Sequence, residues 1–479
     1  MPTTSSDSPI QVRRLTVRNF RCFENLSLDF DGHCSLVGEN GSGKTAVLEA
    51  LYFVLAPYTG TARFNEQDFN NKDAGPIEIE VEFSRPFTAK LPDGYQQRDV
   101  QCEGVGLTVR RREKAGPGRA LNDAFTMDHW VIPDPALFGR GPQWKLTRKT
   151  GTDFQFSVRS LAISAVDLDA YPSVQYFGKT RERQASGGYN TTLQRILDEL
   201  GWRYRRGVAE CQADVLDAWE RYYNTVFECV DCKKRATLLD TFHERSRELL
   251  GDSCDDVEIA LLRTEEPFSK GFLARRDGLN QVDLAGMGSG VAMIITLALL
   301  ETIAVLDKSD LIVLVDEPEL HLHPQLQGTL RRHIEQQDYQ VIFSTHSPLM
   351  VNLGDWRSVR RFDRHATVHP SPEALCQDVP QDGGPKSLEE HLNDIGRYKQ
   401  HVSVLMRENN ELLFARACVL VEGPIDKYAI ETLSQVLGTQ LDALTVIPCY
   451  GKTKIAYYQV LCRAYGVPYF TVWDTDSGD

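Results

Sequence analysis

This 479-residue sequence predicts an α/β protein built on parallel sheets. Three observations carry that prediction. Gly38-Glu39-Asn40-Gly41-Ser42-Gly43-Lys44-Thr45 fits the pattern G-x-x-x-x-G-K-[ST] and lies between an apolar run and a helical pattern. Leu311-Ile312-Val313-Leu314-Val315 is a continuous apolar run, as expected of a parallel strand buried on both faces, and it ends in Asp316-Glu317. From Glu411 onward the strand, acid, helix pattern starts again, so a second α/β unit is expected.

Composition is consistent with this. Hydrophobic residues make up 42% and charged residues 25% of the chain, as in an ordinary globular protein. There is no uninterrupted apolar run of about 18 residues, so no membrane span is expected. Met1–Pro9 is polar and lacks the basic and apolar regions of a secretion signal. The 11 cysteines show no framework spacing, which points to reduced thiols and a cytoplasmic location. Cys229-x-x-Cys232 by itself falls short of the four ligands zinc prefers. The net charge of −14 argues against a uniformly nucleic-acid-binding surface, although local basic clusters occur. These are Arg110–Arg112, Arg181 with Arg183, Arg203 with Arg205 and Arg206, and Arg357 with Arg360, Arg361 and Arg364. Taken singly, each reads as a solvated face.

Taken in order, Val12, Leu15 and Val17, then Leu26, Leu28 and Phe30, mark two strands joined by a turn over Arg18–Phe23. Cys34–Val37 reads as a short buried strand leading into the loop, and Thr45–Leu55 as the helix after it. Glycines let the backbone N–H groups of such a loop turn around a polyphosphate, and the helix dipole adds to the attraction. Lys44 supplies charge for the β/γ-phosphates, and the Thr45 hydroxyl can ligate Mg²⁺. Ile77–Phe83 alternates strictly, with Glu78, Glu80 and Glu82 on its solvent side. Gly104–Arg111, Phe154–Ala165 and Val174–Phe177 are further strands, and Thr191–Leu250 turns helical. Val257–Leu261 and Phe272–Arg275 are expected to return to the main sheet. Leu284–Gly290 is a Gly/Ser turn opening a long apolar helix over Val291–Leu306, a second anion site by the dipole argument. Asp316 is expected to hold Mg²⁺ and Glu317 to polarise the attacking water. Val341–Phe343 is one more buried strand, tipped by Ser344-Thr345-His346.

The stretch LTVRNFRCFENLSLDF, the phosphate loop, the turn at Ser289, DEPELHLHP and His346 occur in an order that resembles the ABC-type ATPases of DNA metabolism. That group includes the structural-maintenance heads, the recombination mediators and the OLD (overcoming lysogenization defect) nucleases. The resemblance implies that ATP binds at Gly38, Asn40, Gly41, Gly43, Lys44 and Thr45. It also implies that Ser289 of a second subunit closes the site, so a homodimer or higher even oligomer is expected. His346 would be the switch histidine contacting the γ-phosphate. Gln67 and Gln175 both remain candidates for the glutamine sensor. His321 and His323 are expected to shape the turn rather than bind metal.

After Arg357–Gly396, which reads as linker with a short helix, Glu411–Val421 is expected to be a strand ending in Glu422, followed by a helix from about Ile425 to Leu437. Leu444–Pro448 and Pro468–Trp473 are the next strands, the latter ending in Asp474-Thr475-Asp476. Parallel neighbours would bring Glu422 and the Asp474/Asp476 pair together, where oxygen-ligated Mg²⁺ or Mn²⁺ would neutralise them. FARACVLVEGPID and VWDTD resemble the Toprim domain of OLD-family nucleases. That resemblance implies two-metal phosphodiester hydrolysis by Glu422, Asp426, Asp474 and Asp476, with DNA as the substrate. The sequence stops three residues after Asp476, so the Toprim domain is expected to be partial.

The expectation is thus an ABC-type P-loop ATPase with a helical insertion, plus a partial Toprim domain. The ATPase covers 1–190 and 253–365, the insertion 191–252, the linker 366–411 and the Toprim part 412–479. The expected function is an ATP-dependent DNA endonuclease with a role in phage defence. The alternative is a non-nucleolytic ATPase switch whose Toprim remnant docks a partner effector.

Overall fold

A computed structural model describes residues 9–55, 64–71, 75–93, 96–111, 125–133, 144–146, 172–178, 241–242, 244–249, 251, 257–260, 272–277, 280–283, 289–307, 310–352, 355–376, 378–379, 386–397, 409–438 and 444–474. The chain opens with β1 (Val12–Phe20) and β2 (Phe23–Asp29), antiparallel across the Arg21-Cys22 turn. β3 (Cys34–Gly38) is wholly buried and runs into the glycine loop and α1 (Lys44–Leu55). β4 (Ile77–Asp93), β5 (Gln96–Arg111), β6 (Phe125–Pro133) and β7 (Trp144–Leu146) extend the first sheet, in the order β2-β1-β4-β5-β6-β7. The predicted alternating strand is the first part of β4. Ile77, Ile79, Val81 and Phe83 point inward, while Glu78 and Glu82 face Arg18 and Arg13 of β1.

The second sheet contains β8 (Ser173–Phe177), followed by a separate antiparallel set, β9 (Val257–Ala260), β10 (Phe272–Asp277) and β11 (Asn280–Asp283). The expectation that Val257–Leu261 and Phe272–Arg275 rejoin the main sheet is therefore corrected. Asp277 faces Asn280 across a two-residue connection, which fixes an antiparallel hairpin; a parallel partner would need a long crossover. α2 (Ser289–Asp307) leads to β12 (Leu311–Asp316), then α3 (Pro324–Glu335), β13 (Gln340–Ser344), β14 (Val359–Phe362) and β15 (Val368–His369). The main sheet has the order β15-β14-β3-β13-β12-β8, with every pair parallel except at β15. α1 lies between the two sheets and buries Val47, Leu48, Leu51, Val54 and Leu55 in one continuous core with both. Each such side chain contributes about 1.5–3 kcal/mol relative to exposure.

The described part of the predicted linker is structured. It carries α4 (Pro372–Leu375), the short pair β16 (Asp378–Val379) and β17 (Lys386–Ser387), and α5 (Leu388–Arg397). Asn410–Phe414 forms a 3₁₀ turn, so the expected strand from Glu411 starts only at β18 (Ala417–Val421). Leu412 and Leu413 are fully buried in that turn. α6 (Pro424–Val436), β19 (Leu444–Pro448), α7 (Lys452–Ala464) and β20 (Tyr469–Val472) complete a parallel sheet ordered β19-β18-β20.

The two halves share a core. Val37, Val351, Trp356 and Val359 pack with Leu388, Leu412, Cys418, Leu420, Leu461 and Tyr465. Arg361 of β14 enters this core at 6% exposure, donating to the carbonyls of Leu413, Ala415 and Tyr465. It is thus not part of a solvated face. The arginines around it are held locally, Arg357 lying over the Trp356 ring and Arg360 bonding to the Asp29 carbonyl. Arg111 likewise pairs with Glu66 over the Phe69 ring. The strand candidate 154–165, Cys229 and Cys232, Arg112, and the arginines at 181, 183, 203, 205 and 206 lie outside the described residues.

Candidate active site

The phosphate loop takes its shape from glycine conformations. Gly38, Gly41 and Gly43 have φ of 145°, 79° and 104°, values L side chains rarely adopt. A Cβ on Gly38 would lie 2.2 Å from the Phe362 carbonyl oxygen, because β3 and β14 are paired there. Lys44 is buried, and its Nζ donates to the carbonyls of Gly38 (2.9 Å) and Glu39 (2.8 Å). Ser42 Oγ is buried without a hydrogen-bond partner. Asn40 and Gly41 stand exposed at the rim. Glycine curvature, a lysine and an unsatisfied hydroxyl fit an anionic polyphosphate.

Asp316 ends β12 at 0% exposure. Thr45 Oγ1 lies 3.2 Å from both of its carboxylate oxygens, and Ser344 Oγ donates to Oδ1 at 2.5 Å. The same Ser344 hydroxyl accepts the Glu317 N–H at 3.0 Å. Glu317 has φ 53°, a left-handed conformation uncommon outside glycine. Its Oε1 lies 3.9 Å from His346 Nε2. The His346 N–H donates to Glu319 Oε1 at 2.6 Å. Burial pushes the Glu319 carboxyl up, and this backbone bond pulls it partly back. Thr45 and Asp316 therefore form an oxygen pair suited to Mg²⁺, with Glu317 and His346 beside them.

Ser344, Glu319 and Tyr176 had no assigned role from sequence. Burial and the charges of Glu49 and Asp316 raise the Tyr176 phenol above its ordinary value. Its ring lies 5.1 Å from that of Tyr52 on α1. The signal available for Ser344 was a polar residue closing a wholly apolar strand. Gln175, next to Tyr176 in β8, is buried and pairs with Val313, so the two side chains point to opposite sheet faces. Gln67 is exposed in a 3₁₀ turn capped by Asn65, and Arg21 holds that turn through Asp68. Ser289 opens α2 as predicted. The next residue, Gly290, packs so closely on the His321-Leu322 turn that a Cβ would lie 3.0 Å from the His321 carbonyl. His323 caps α3, its Nδ1 facing the Gln325 N–H, which agrees with a structural role.

At the carboxyl edge of the β19-β18-β20 sheet, Val421 pairs with Val472, so Glu422 and Asp474 follow adjacent strand ends. Asp426 sits in the first turn of α6, its Oδ2 accepting the Gly423 N–H at 2.8 Å. The Gly451 N–H donates to the Glu422 carbonyl at 2.8 Å, and Lys452 Nζ reaches the Asp474 carbonyl at 3.4 Å. Among the described residues no three acidic, His or Cys side chains form a ready-made metal cluster, and Asp476 lies outside them. The structure thus sets Glu422 and Asp474 after adjacent strand ends but, among the described residues, does not gather the acids predicted to hold metal into one cluster; carboxylate oxygens of this kind suit Mg²⁺ or Mn²⁺ rather than a softer metal.

Residues 11–105 and 214–351 match the family model for the AAA ATPase domain. Residues 413–476 match the model for the Overcoming lysogenization defect protein-like TOPRIM domain. The two matches together are those of an OLD-like ATPase and Toprim pair. It is 26% identical over 487 residues to the OLD nuclease of Thermus scotoductus, covering 97% of this chain and 82% of that protein. It is 24% identical over 499 residues to the Old nuclease of Escherichia phage P2, covering 98% and 77%. A crystal structure of an Smc head bound to the C-winged helix domain of ScpA aligns with a TM-score of 0.45 at 15% identity, covering 79% of this chain and 99% of that one. The fold is α/β, a P-loop ATPase domain joined to a Toprim domain. Glu39 and Thr45 belong to the ATPase half and Glu422 to the Toprim half. The two sites are linked through the shared core around Val37 and Cys418.

Proposed function

We propose that this OLD-like protein is an ATP-dependent DNA endonuclease working in the cytoplasm in defence against phage. What supports the reading is the pairing, in one chain, of Thr45 and Asp316 at 3.2 Å beside Glu317 with carboxylates at adjacent Toprim strand ends. On this reading residues 1–190 and 253–365 form the ATPase, 191–252 a helical insertion for dimer contacts, 366–411 the linker and 412–479 the Toprim part.

Lys44 and the loop amides bind the phosphates, and Thr45 and Asp316 hold Mg²⁺. Ser344 orients Asp316. Glu317 takes the proton of the attacking water, with His346 set beside it to contact the γ-phosphate. Ser289 comes from a second subunit, so the working unit is a homodimer or a higher even oligomer. In the Toprim part, Glu422, Asp426, Asp474 and Asp476 would hold two Mg²⁺ or Mn²⁺ ions for hydrolysis of a DNA phosphodiester. When bound, the metals supply Lewis-acid activation of water and stabilise the leaving oxygen. Glu422 and Asp474 follow adjacent strand ends. Asp426 must release the Gly423 N–H with one oxygen or ligate through the other.

The test is nicking of supercoiled plasmid with ATP and Mg²⁺ or Mn²⁺. Cleavage by the chain that disappears in Glu422→Ala, with phosphate release from ATP preserved, is the expected result. Absence of cleavage under all these conditions would favour the second reading, an ATPase switch that docks a partner effector. One observation favours that reading. α6 has no buried residue and exposes Ile425, Tyr428, Leu433 and Val436, an apolar set of the kind found at interaction sites.

A further inference from the structure

Three sets of contacts join the ATP site to the Toprim strands, and they differ in character. Arg361 is buried and bound to backbone carbonyls on the Toprim side, so it acts as a fixed weld. Asn410 Nδ2 donates to the carbonyls of Pro348 and Val351, in the turn after His346, while Asn409 Nδ2 donates to Pro448 and Tyr458 of the Toprim part. Both asparagines are buried, so this bracket is also fixed. The third contact can open. Arg416 Nε donates to Glu39 Oε1 at 2.9 Å, with side chains 62% and 33% exposed.

The position of this pair gives it meaning. Glu39 is the second residue of the phosphate loop, and its carbonyl accepts from Lys44 Nζ at 2.8 Å. A bound β/γ-phosphate competes for that ammonium, so Glu39 is a residue whose surroundings change on nucleotide binding. Arg416 directly precedes β18, and β18 ends at Glu422. A strand held on both sides by β19 and β20 transmits a displacement at one end to the other.

We infer that Arg416 is a positioning residue: through its ion pair with Glu39, occupation of the phosphate loop is felt at Glu422 and the start of α6. This rests on the ATP-dependent nuclease reading for its purpose, but not for its test. A half-exposed ion pair can transmit a factor of about two to five.

The full-length protein is followed by hydrogen exchange over Glu422–Val436, with and without ATPγS, and ATPγS affinity is measured alongside by calorimetry. The expected result is a nucleotide-induced change in exchange of about two- to five-fold in the unaltered chain. It is lost in Arg416→Ala, partly restored in Arg416→Lys, and ATPγS affinity stays within about two-fold in both. Glu39→Gln combined with Arg416→Ala adds nothing further to the loss. A nucleotide response retained in Arg416→Ala, or absent from the unaltered chain that binds ATPγS, overturns the inference. An Arg416-dependent response in a protein that nicks no plasmid leaves the coupling standing and removes the nuclease reading. Failure to bind ATPγS removes the ATPase reading and the inference with it.

Discussion

Replacing Arg361 with methionine should loosen the Toprim part from the ATPase without unfolding either. The guanidinium makes bonds of 3.0, 2.9 and 3.1 Å to the carbonyls of Leu413, Tyr465 and Ala415, and a longer one of 3.5 Å to Gly466. A bond to a charged donor is worth about 1.5–3 kcal/mol, so the three short ones total roughly 4.5–9 kcal/mol. Methionine returns the desolvation cost of a buried guanidinium, several kcal/mol, since burial already lowers its pKa. The net loss is about 3 kcal/mol, equivalent to roughly a 10²-fold rise in the population in which the second core is open. Hydrogen exchange in β18 and α7, compared with β4 and β5, measures this directly. Arg361→Lys, with its single ammonium, should fall between. A rise under about ten-fold, or an equal rise in β4 and β5, would refute the idea that Arg361 holds the halves together.

Gly38→Ala should abolish ATP binding, because the added Cβ meets the Phe362 carbonyl at 2.2 Å at φ 145°; unchanged nucleotide affinity by calorimetry would contradict the loop geometry. Ser344→Ala removes the 2.5 Å bond that orients Asp316. ATP turnover or its apparent Mg²⁺ affinity should fall about 10- to 100-fold while the melting temperature barely moves. His33 supplies a pH test. Its Nδ1 accepts the Val341 N–H at 3.2 Å and its Nε2 faces the Gln337 carbonyl at 3.1 Å, while burial holds its pKa below 6.5. Its contribution to stability is therefore complete above pH 6.5 and is lost as pH falls through the lowered folded-state pKa. Melting temperature should drop between pH 7 and pH 5, and His33→Gln should flatten that slope; an equal slope in both proteins removes His33 as the cause.

Much of the ATP site was legible because its parts are local. A phosphate loop needs glycine φ values, a lysine and a threonine within eight positions, and Gly38–Thr45 supplies them in one stretch. The strands before Glu317 and His346 announce themselves as apolar runs because both of their faces are buried. β9 and β10 were misplaced because an apolar run shows that a strand exists but not which sheet it joins. Arg361 was read as surface for a similar reason. Charge runs are usually solvated, and nothing near Arg361 in the sequence reveals that the carbonyls of Leu413 and Tyr465 lie across from it.

By itself, then, the sequence determined the strands and helices that flank the two candidate sites, the order of the ATP-site motifs and the acids at the strand ends. These depend on backbone preference and burial over a few consecutive residues. Tertiary structure alone decided which side chains surround those residues. Ser344 meets Asp316 across 28 positions, Arg361 meets Tyr465 across 104, and Arg416 meets Glu39 across 377. Contacts at such separations follow from sheet order and core packing, which no local pattern encodes.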